Sequence, residues 1–334
     1  MPSRLVDRRP EVEPDALVAA MVPPPRFAPV RFDTYRPDPA EPSQAAAVDK
    51  ARAFAERVRR GRTPTRWWRR EEPAGPTGLY FDGGFGVGKT HLLASLWHEV
   101  DGPRAYGTFV ELTHLVGALG FAEAVRRLSS HRLLAVDEFE LDDPGDTTLV
   151  GRLLAELDEA GVFLAATSNT LPDRLGEGRF AAEDFSRELR ALADRFTVAR
   201  IDGPDYRHRG LPDAPAPLAD AELVGLAERT DGATLDDFAE LTAHLAALHP
   251  SRYGRLVEGV AAVHVRGLHP APDQDVALRL VVLADRLYDA DVPVRVSGAP
   301  VSALFGDDML RGGYRKKYLR AVSRLTALAR AGAA

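Results

Sequence analysis

The chain has no cysteine in its 334 residues, which excludes disulfides and cysteine-ligated zinc. Long apolar runs are also missing. The stretch ending at Val136 is only a few residues long, far short of the ~20 that cross a bilayer. The first ten residues carry charges with no apolar stretch behind them, so neither a signal peptide nor stable membrane insertion is expected. Together these absences predict a cytoplasmic protein. An excess of positive charge is lacking too. The formal net charge is -6, which speaks against a protein dominated by nucleic-acid binding and leaves room only for a local basic patch. The nine histidines show no H-E-x-x-H or other metal spacing, so scattered structural use is their default. What remains is ordinary for a globular protein: 45% hydrophobic and 28% charged residues. The length suits two compact domains or one large one.

Three regions are expected. Residues 1–76 hold a proline-rich extended arm and a helix over Gln44–Arg60, with Ser43 as its cap and Ala47, Phe54 and Val58 on one face. Residues 77–210 alternate short apolar strands with helices. The strands fall at Gly78–Phe81, Tyr106–Val110, Leu133–Val136 and Val162–Thr167, and the helices at Lys89–Val100 and Leu149–Glu159. That alternation predicts an α/β fold with a parallel sheet covered on both faces. Residues 211–334 form a smaller C-terminal α/β or helical region, entered through the proline-rich link Pro212–Pro217. Helices are expected there at Ala221–Arg229, Leu235–Leu248 and Arg311–Ala331. A βαβ-like unit is expected from the strands Ala261–Arg266 and Val292–Ser297 around the helix Asp275–Tyr288.

The chemistry lies between the first strand and the helix after it. Gly83-Gly84-Phe85-Gly86-Val87-Gly88-Lys89-Thr90 fits G-x-x-x-x-G-K-[ST]. Such glycines let backbone N–H groups curl around phosphates, and the following helix turns its positive end towards the anion. Lys89 is expected on the β- and γ-phosphates and Thr90 on Mg²⁺; the nucleotide-binding set runs from Gly83 to His91. Asp137-Glu138 ends an apolar strand, on the sheet edge where ligands bind in such folds. Asp137 is expected to hold Mg²⁺ and Glu138 to orient and deprotonate the attacking water. Asn169, after the next buried strand, is expected near the γ-phosphate and lytic water; the plainer alternative is a turn or cap. Among the arginines near Phe185–Arg200, Arg195 is the candidate for stabilising transferring phosphoryl charge, with Arg187 and Arg190 close by. The ligands expected are ATP and Mg²⁺, and the reaction is hydrolysis to ADP and phosphate.

These residues and several others resemble the AFG-like family of AAA+ ATPases over nearly the whole chain. The N-terminal block of that family is similar to Phe32-Asp33-Thr34-Tyr35 and Pro42-Ser43-Gln44 with Ala47-Val48. Its extended acidic segment resembles Asp137-Glu138-Phe139 with Asp143, Asp146 and Leu153-Leu154, and its first sensor block Ala166-Thr167-Ser168-Asn169. Asp202-Gly203 with Asp205-Tyr206-Arg207, Leu280–Leu283 with Asp285, Leu287-Tyr288-Asp289, and Ser323-Arg324-Leu325 complete the ordered set, which is more specific than the phosphate loop alone. Val87, His91 and Glu140 depart from the usual residues. The resemblance implies a P-loop NTPase core, nucleotide-dependent homo-oligomers, an arginine reaching across their interface, and protein partners linked to cell division or protein handling.

A second class is a DnaC-like, nucleic-acid-associated loader. Gly88–Leu92 is also seen in DnaA- and DnaC-like proteins, and Arg66-Trp67-Trp68-Arg69-Arg70 is both aromatic and basic. The bland reading of that cluster is a tryptophan pair packing the helix Gln44–Arg60, and the acidic balance makes nucleic acid the less expected partner. The basic stretch Tyr314–Tyr318 reads as a solvated helix face. Arg324 reads either as a second nucleotide sensor or as an exposed helix arginine.

Overall fold

A computed structural model describes residues 2–10, 14–61, 76–84, 86–139, 144–170, 193–204 and 214–332. The contacts divide it into two units: one of residues 13–23 and 27–206, the other of residues 1–12, 24–26 and 207–334.

The first unit is the expected parallel α/β layer. Its strands are β1 (Gly78–Gly83), β2 (Arg104–Thr108), β3 (Leu133–Asp137), β4 (Phe163–Ser168) and β5 (Phe196–Ile201), in the order β2-β3-β4-β1-β5, every pair parallel. β1 lies between β4 and β5. Its Leu79, Tyr80 and Phe81 are buried on both faces, as a strand covered by helices on each side must be. Helix α1 is Pro14–Ala19; α2 (Pro42–Arg60) and α3 (Lys89–Glu99) cover one face, where Phe54, Leu92 and Leu96 join Leu79 and Phe81 in one core. Helices α4 (Phe109–Leu119), α5 (Phe121–Leu128) and α6 (Pro144–Glu159) cover the other, around Tyr80 and Leu134.

The second unit contains a smaller parallel sheet, β6-β7-β8, from β6 (Ala233–Asp237), β7 (Ala262–Leu268) and β8 (Val294–Gly298). Its helices are α7 (Asp220–Arg229), α8 (Phe238–Ala247), the short α9 (Tyr253–Leu256), α10 (Gln274–Asp289), α11 (Asp307–Arg311) and α12 (Arg315–Ala331). The βαβ unit read from the sequence is β7–α10–β8.

Several local expectations change; Tyr318, in the stretch read as a solvated face, is buried. The proline-rich beginning is not a single extended arm: it holds α1, and Leu5 is fully buried in the core of the second unit. Ser43 does not cap α2. Pro42 takes the first turn, where its missing N–H costs nothing, and the Ser43 hydroxyl accepts the amide of Asp202 at 2.9 Å. The helix expected over Leu235–Leu248 begins as strand β6, because pairing with β7 outweighs local preference there. The terminal helix expected over Arg311–Ala331 begins at Arg315, after Gly312-Gly313, and Arg311 instead ends the short helix α11.

Candidate nucleotide site

Parallel strands deliver all their C-terminal ends to one edge of the sheet, so β1, β3 and β4 bring their loops together there. β1 runs into the glycine loop. Gly83 is required by close approach, since a Cβ on it would lie 2.2 Å from the carbonyl oxygen of Ile201. Gly88 caps α3 at φ 92°, a left-handed conformation that glycine adopts without strain. A Cβ there would also meet the ring of Tyr35 at 2.5 Å. The Tyr35 hydroxyl donates to the carbonyl of Val87 at 2.8 Å, so the segment before α2 packs directly on the loop.

Lys89 opens α3 and its ammonium turns back over the loop. Nζ donates to the carbonyls of Gly83 at 2.8 Å and Gly84 at 2.6 Å, and to Asn169 Oδ1 at 2.8 Å. The next residue, Thr90, donates its hydroxyl to Asp137 Oδ1 at 3.2 Å. Asp137 ends β3 at 6% exposure. Its Oδ2 accepts the Tyr106 hydroxyl at 2.9 Å, and its Oδ1 also takes the Thr167 hydroxyl. Donors on both oxygens hold the carboxylate in one orientation. The Thr90 and Asp137 oxygens are hard donors at nearly the separation of adjacent corners in an octahedral magnesium shell, about 2.9 Å for 2.0–2.1 Å bonds. The pair therefore fits Mg²⁺.

Glu138 adopts φ 54°, an uncommon conformation for a residue with a Cβ. The surroundings fix it. Its N–H points between Asp137 Oδ1 at 3.1 Å and Thr167 Oγ1 at 3.0 Å, and the amide of Phe139 donates to the carbonyl of Thr167 at 2.7 Å. Phe139 is itself fully buried against Tyr80 and Phe109. The turn carries Glu138 off the strand end to a half-buried position. Strain of about 1–3 kcal/mol persists only where neighbours over-determine the backbone, as they do here.

The structure thus gathers Gly83, Gly84, Lys89, Thr90, Asp137, Glu138 and Asn169 at one edge. Gly86 and Val87 complete the described turn, while Phe85 lies outside the described residues. The ring Nε2 of His91 faces Thr34 Oγ1 at 2.9 Å and the Arg31 carbonyl at 3.2 Å, which ties α3 to the segment before α2. Burial lowers the pKa of that imidazole. Arg195 is not brought to these residues within the chain. It precedes β5, whose first residue pairs with Gly78 at the far end of β1, and it forms an ion pair with Asp158. Arg187, Arg190, Glu140, Asp143, the cluster Arg66–Arg70 and the triplet Asp205–Arg207 lie outside the described residues. Arg324 is not an exposed helix arginine. It is 8% exposed and pairs with Asp285, which also accepts Arg320 at 2.8 Å.

From the sequence, no site role falls to Tyr106 or Asp82, and Thr167 is named only within the sensor-like block. Asp82 is the last side chain of β1 before the loop, 6% exposed. Its signal was available: a carboxylate directly after Leu79-Tyr80-Phe81 is out of place in a buried strand unless something uses it. Tyr106 and Thr167 carry no such signal, since only the strand pairing brings their hydroxyls to Asp137. Among the described residues there is no cluster of three or more His, Asp or Glu that would hold a metal by itself, and no helix long and apolar enough to cross a membrane.

The chain is similar to several known proteins. The cell division protein ZapE of Escherichia coli (strain K12) is 33% identical over 162 residues, 44% of this chain, and the match spans 43% of the length of that protein. Among solved structures, domain III of the replication initiation protein DnaA from Thermotoga maritima has a TM-score of 0.41 at 22% identity, covering 55% of this chain and 70% of the other. The DnaC helicase loader has a TM-score of 0.34 at 18% identity, covering 53% and 99%. The family profile reaches much further, matching residues 12–224 and 224–332, so that the glycine loop, the acidic pair and the C-terminal unit all fall within it: the chain belongs to the AFG1-like ATPase family.

Proposed function

We propose that this chain binds Mg-ATP at Gly83–Thr90, hydrolyses it, and couples the cycle to remodelling or regulation of protein partners. One observation carries the reading. Residues far apart in sequence meet at one sheet edge in the pairings phosphoryl transfer needs, with Lys89 on Asn169 at 2.8 Å and Thr90 on Asp137 at 3.2 Å. The loop amides and Lys89 bind the phosphates. Thr90 and Asp137 would hold Mg²⁺, which when bound neutralises charge on the phosphate oxygens. Glu138 orients the water and accepts its proton, and Asn169 positions the water against the terminal phosphate. Loss of turnover in Lys89→Ala and Glu138→Gln, against a hydrolysing parent, is the expected result. A parent chain with no Mg-dependent ATP hydrolysis would overturn the reading.

Arg195 acts in this proposal across a subunit interface, because its own loop lies at the other end of the strand. Mixing Arg195→Ala with Lys89→Ala subunits should then restore part of the activity that each lacks alone. No recovery at any ratio removes the trans role. The link to cell division is drawn from the likeness to the E. coli cell division protein. Capture of division proteins by Glu138→Gln held in ATP would support that link. Tight, ATP-dependent binding of single-stranded DNA at physiological salt would favour a loader instead.

A further inference from the structure

We infer that Asp82 is a counter-charge built beneath the phosphate loop, whose carboxylate opposes the phosphates of a bound nucleotide and keeps nucleotide binding weaker than the loop alone would make it. The inference rests on the nucleotide-binding reading above. The roles assigned to Lys89, Thr90, Asp137, Glu138 and Asn169 leave this carboxylate unused, although it is buried at the mouth of the site.

Its placement follows from the sheet. Asp82 pairs in register with Ser168 on β4 and Arg200 on β5, and the next residue is the first glycine of the loop. Among the described residues, the charged groups around it are Lys89 from the loop and α3, and Arg200 and Asp202 from the end of β5; β4 offers the uncharged Ser168. Neither cation is devoted to Asp82. The Arg200 side chain is 63% exposed and donates through Nε to Asp202 at 2.8 Å. The Lys89 ammonium sits on two loop carbonyls and Asn169. Burial raises the Asp82 pKa, while Arg200 and Lys89 pull it back.

Nucleotide binding disturbs this balance in one direction. Phosphates entering the loop draw on the Lys89 charge, so Asp82 loses compensation and gains an anionic neighbour in a site poorly screened by water. The cost appears as weaker binding, or as uptake of a proton by the carboxylate. Both make the site hold nucleotide more tightly as pH falls. Weakened binding also favours escape of ADP after hydrolysis. Asp82 touches no reacting atom in this account and sets the electrostatic level of the loop.

The test is calorimetric titration of the full chain with ADP across a pH series, comparing the parent with Asp82→Asn, which keeps the shape and removes the charge. The variant is expected to bind at least about tenfold more tightly at neutral pH, since at an effective dielectric near 20 a unit charge even about 12 Å away is worth that factor. That gap should close as pH falls through the titration of the parent's carboxylate, because protonated Asp82 is as neutral as asparagine. Arg200→Gln, at an exposed side chain, should weaken ADP binding in the parent and have no effect on top of Asp82→Asn. Equal or weaker binding by Asp82→Asn, a gap that ignores pH, or an Arg200→Gln effect that survives without Asp82 each overturn the counter-charge. A parent that binds ADP while any of these occurs leaves the ATPase reading standing. A parent that binds neither ADP nor Mg-ATP and hydrolyses no ATP removes both.

Discussion

Each of the two parallel sheets ends a strand with aspartates, and the two sets serve different ends. In the first unit, Asp137 leaves β3 with both oxygens held by hydroxyls, one of them from Thr90 beside the phosphate loop. In the second, Asp236 and Asp237 end β6 and serve the fold itself. Asp236 accepts the amides of Leu5 at 2.9 Å and Val6 at 3.1 Å, and so fastens the start of the chain to the small sheet. Asp237 is clamped by Arg266 at 2.7 and 2.8 Å. The strands and helices are alike. The connections differ: β6 passes straight into α8, whereas β1 enters α3 through a run of glycines. A strand-end carboxylate beside a glycine loop, with a loop hydroxyl among its partners, is suited to chemistry; one held by backbone amides or by an arginine serves as a clasp.

Lys89→Ala breaks the first side of that contrast most severely. Its ammonium supplies the charge-assisted contacts of the loop, so Mg-ATP affinity should fall by about 10²–10⁴-fold, from two such contacts of about 1.5–3 kcal/mol each. Calorimetry that finds unchanged affinity would place the nucleotide elsewhere. Glu138→Gln separates binding from chemistry. ATP should still bind, while hydrolysis drops by about 10²–10⁴-fold, the usual contribution of a general base. Normal turnover would show that another group takes the proton.

The second side is broken through Leu5. This side chain is fully buried among Phe238, Leu241 and Val263, beyond the amide that Asp236 holds. Leu5→Ala should destabilise the second unit by about 2–5 kcal/mol, the range for truncating a buried leucine. Hydrogen exchange should show β6 and β7 losing protection while β1 and β3 keep theirs. Equal loss in both sheets would mean that the units unfold as one.

The glycine loop and the acidic strand end could be read from the sequence because each is a local pattern: a spaced set of glycines before Lys89-Thr90, and an apolar run cut off by Asp137-Glu138. The capping box at Thr108 and Glu111 is equally local, and attention to it would have ended β2 at Thr108 instead of carrying it to Val110. The hydroxyls of Tyr106 and Thr167 were beyond such reading. They reach Asp137 only because β2 and β4 flank β3 in the folded sheet, an order that the sequence does not state. Strand β6 was hidden for a similar reason, since its pairing partners lie at Ser3 and on β7, far away along the chain. Arg324 looked like a surface or sensor residue because its partner Asp285 lies on the preceding long helix, and an internal ion pair leaves no periodic signature.

The smallest expected effect concerns the clasp at Asp237. Its bidentate bond from Arg266 holds the Asp237 carboxyl below its ordinary pKa. A carboxylate with a lowered folded pKa adds stability above the unfolded value of about 3.9, and that addition is lost as pH falls through the folded value. Both side chains are well over one-third exposed, at 39% and 43%, so water and salt screen the pair. Asp237→Asn should therefore cost only about 0.5 kcal/mol at neutral pH and low salt, in the range of exposed ion pairs. The cost should shrink with added salt and vanish in acid, once the parent's carboxyl is also neutral. Denaturant titrations at pH 7 and in acid, with and without salt, check each point. The same treatment should leave the Lys89→Ala defect in nucleotide binding standing at moderate salt, because that ammonium sits half-buried in the loop. A loss above 2 kcal/mol for Asp237→Asn, insensitive to salt, would show that this carboxylate is as deeply committed to its site as Asp137, and the contrast between the two strand ends would fail.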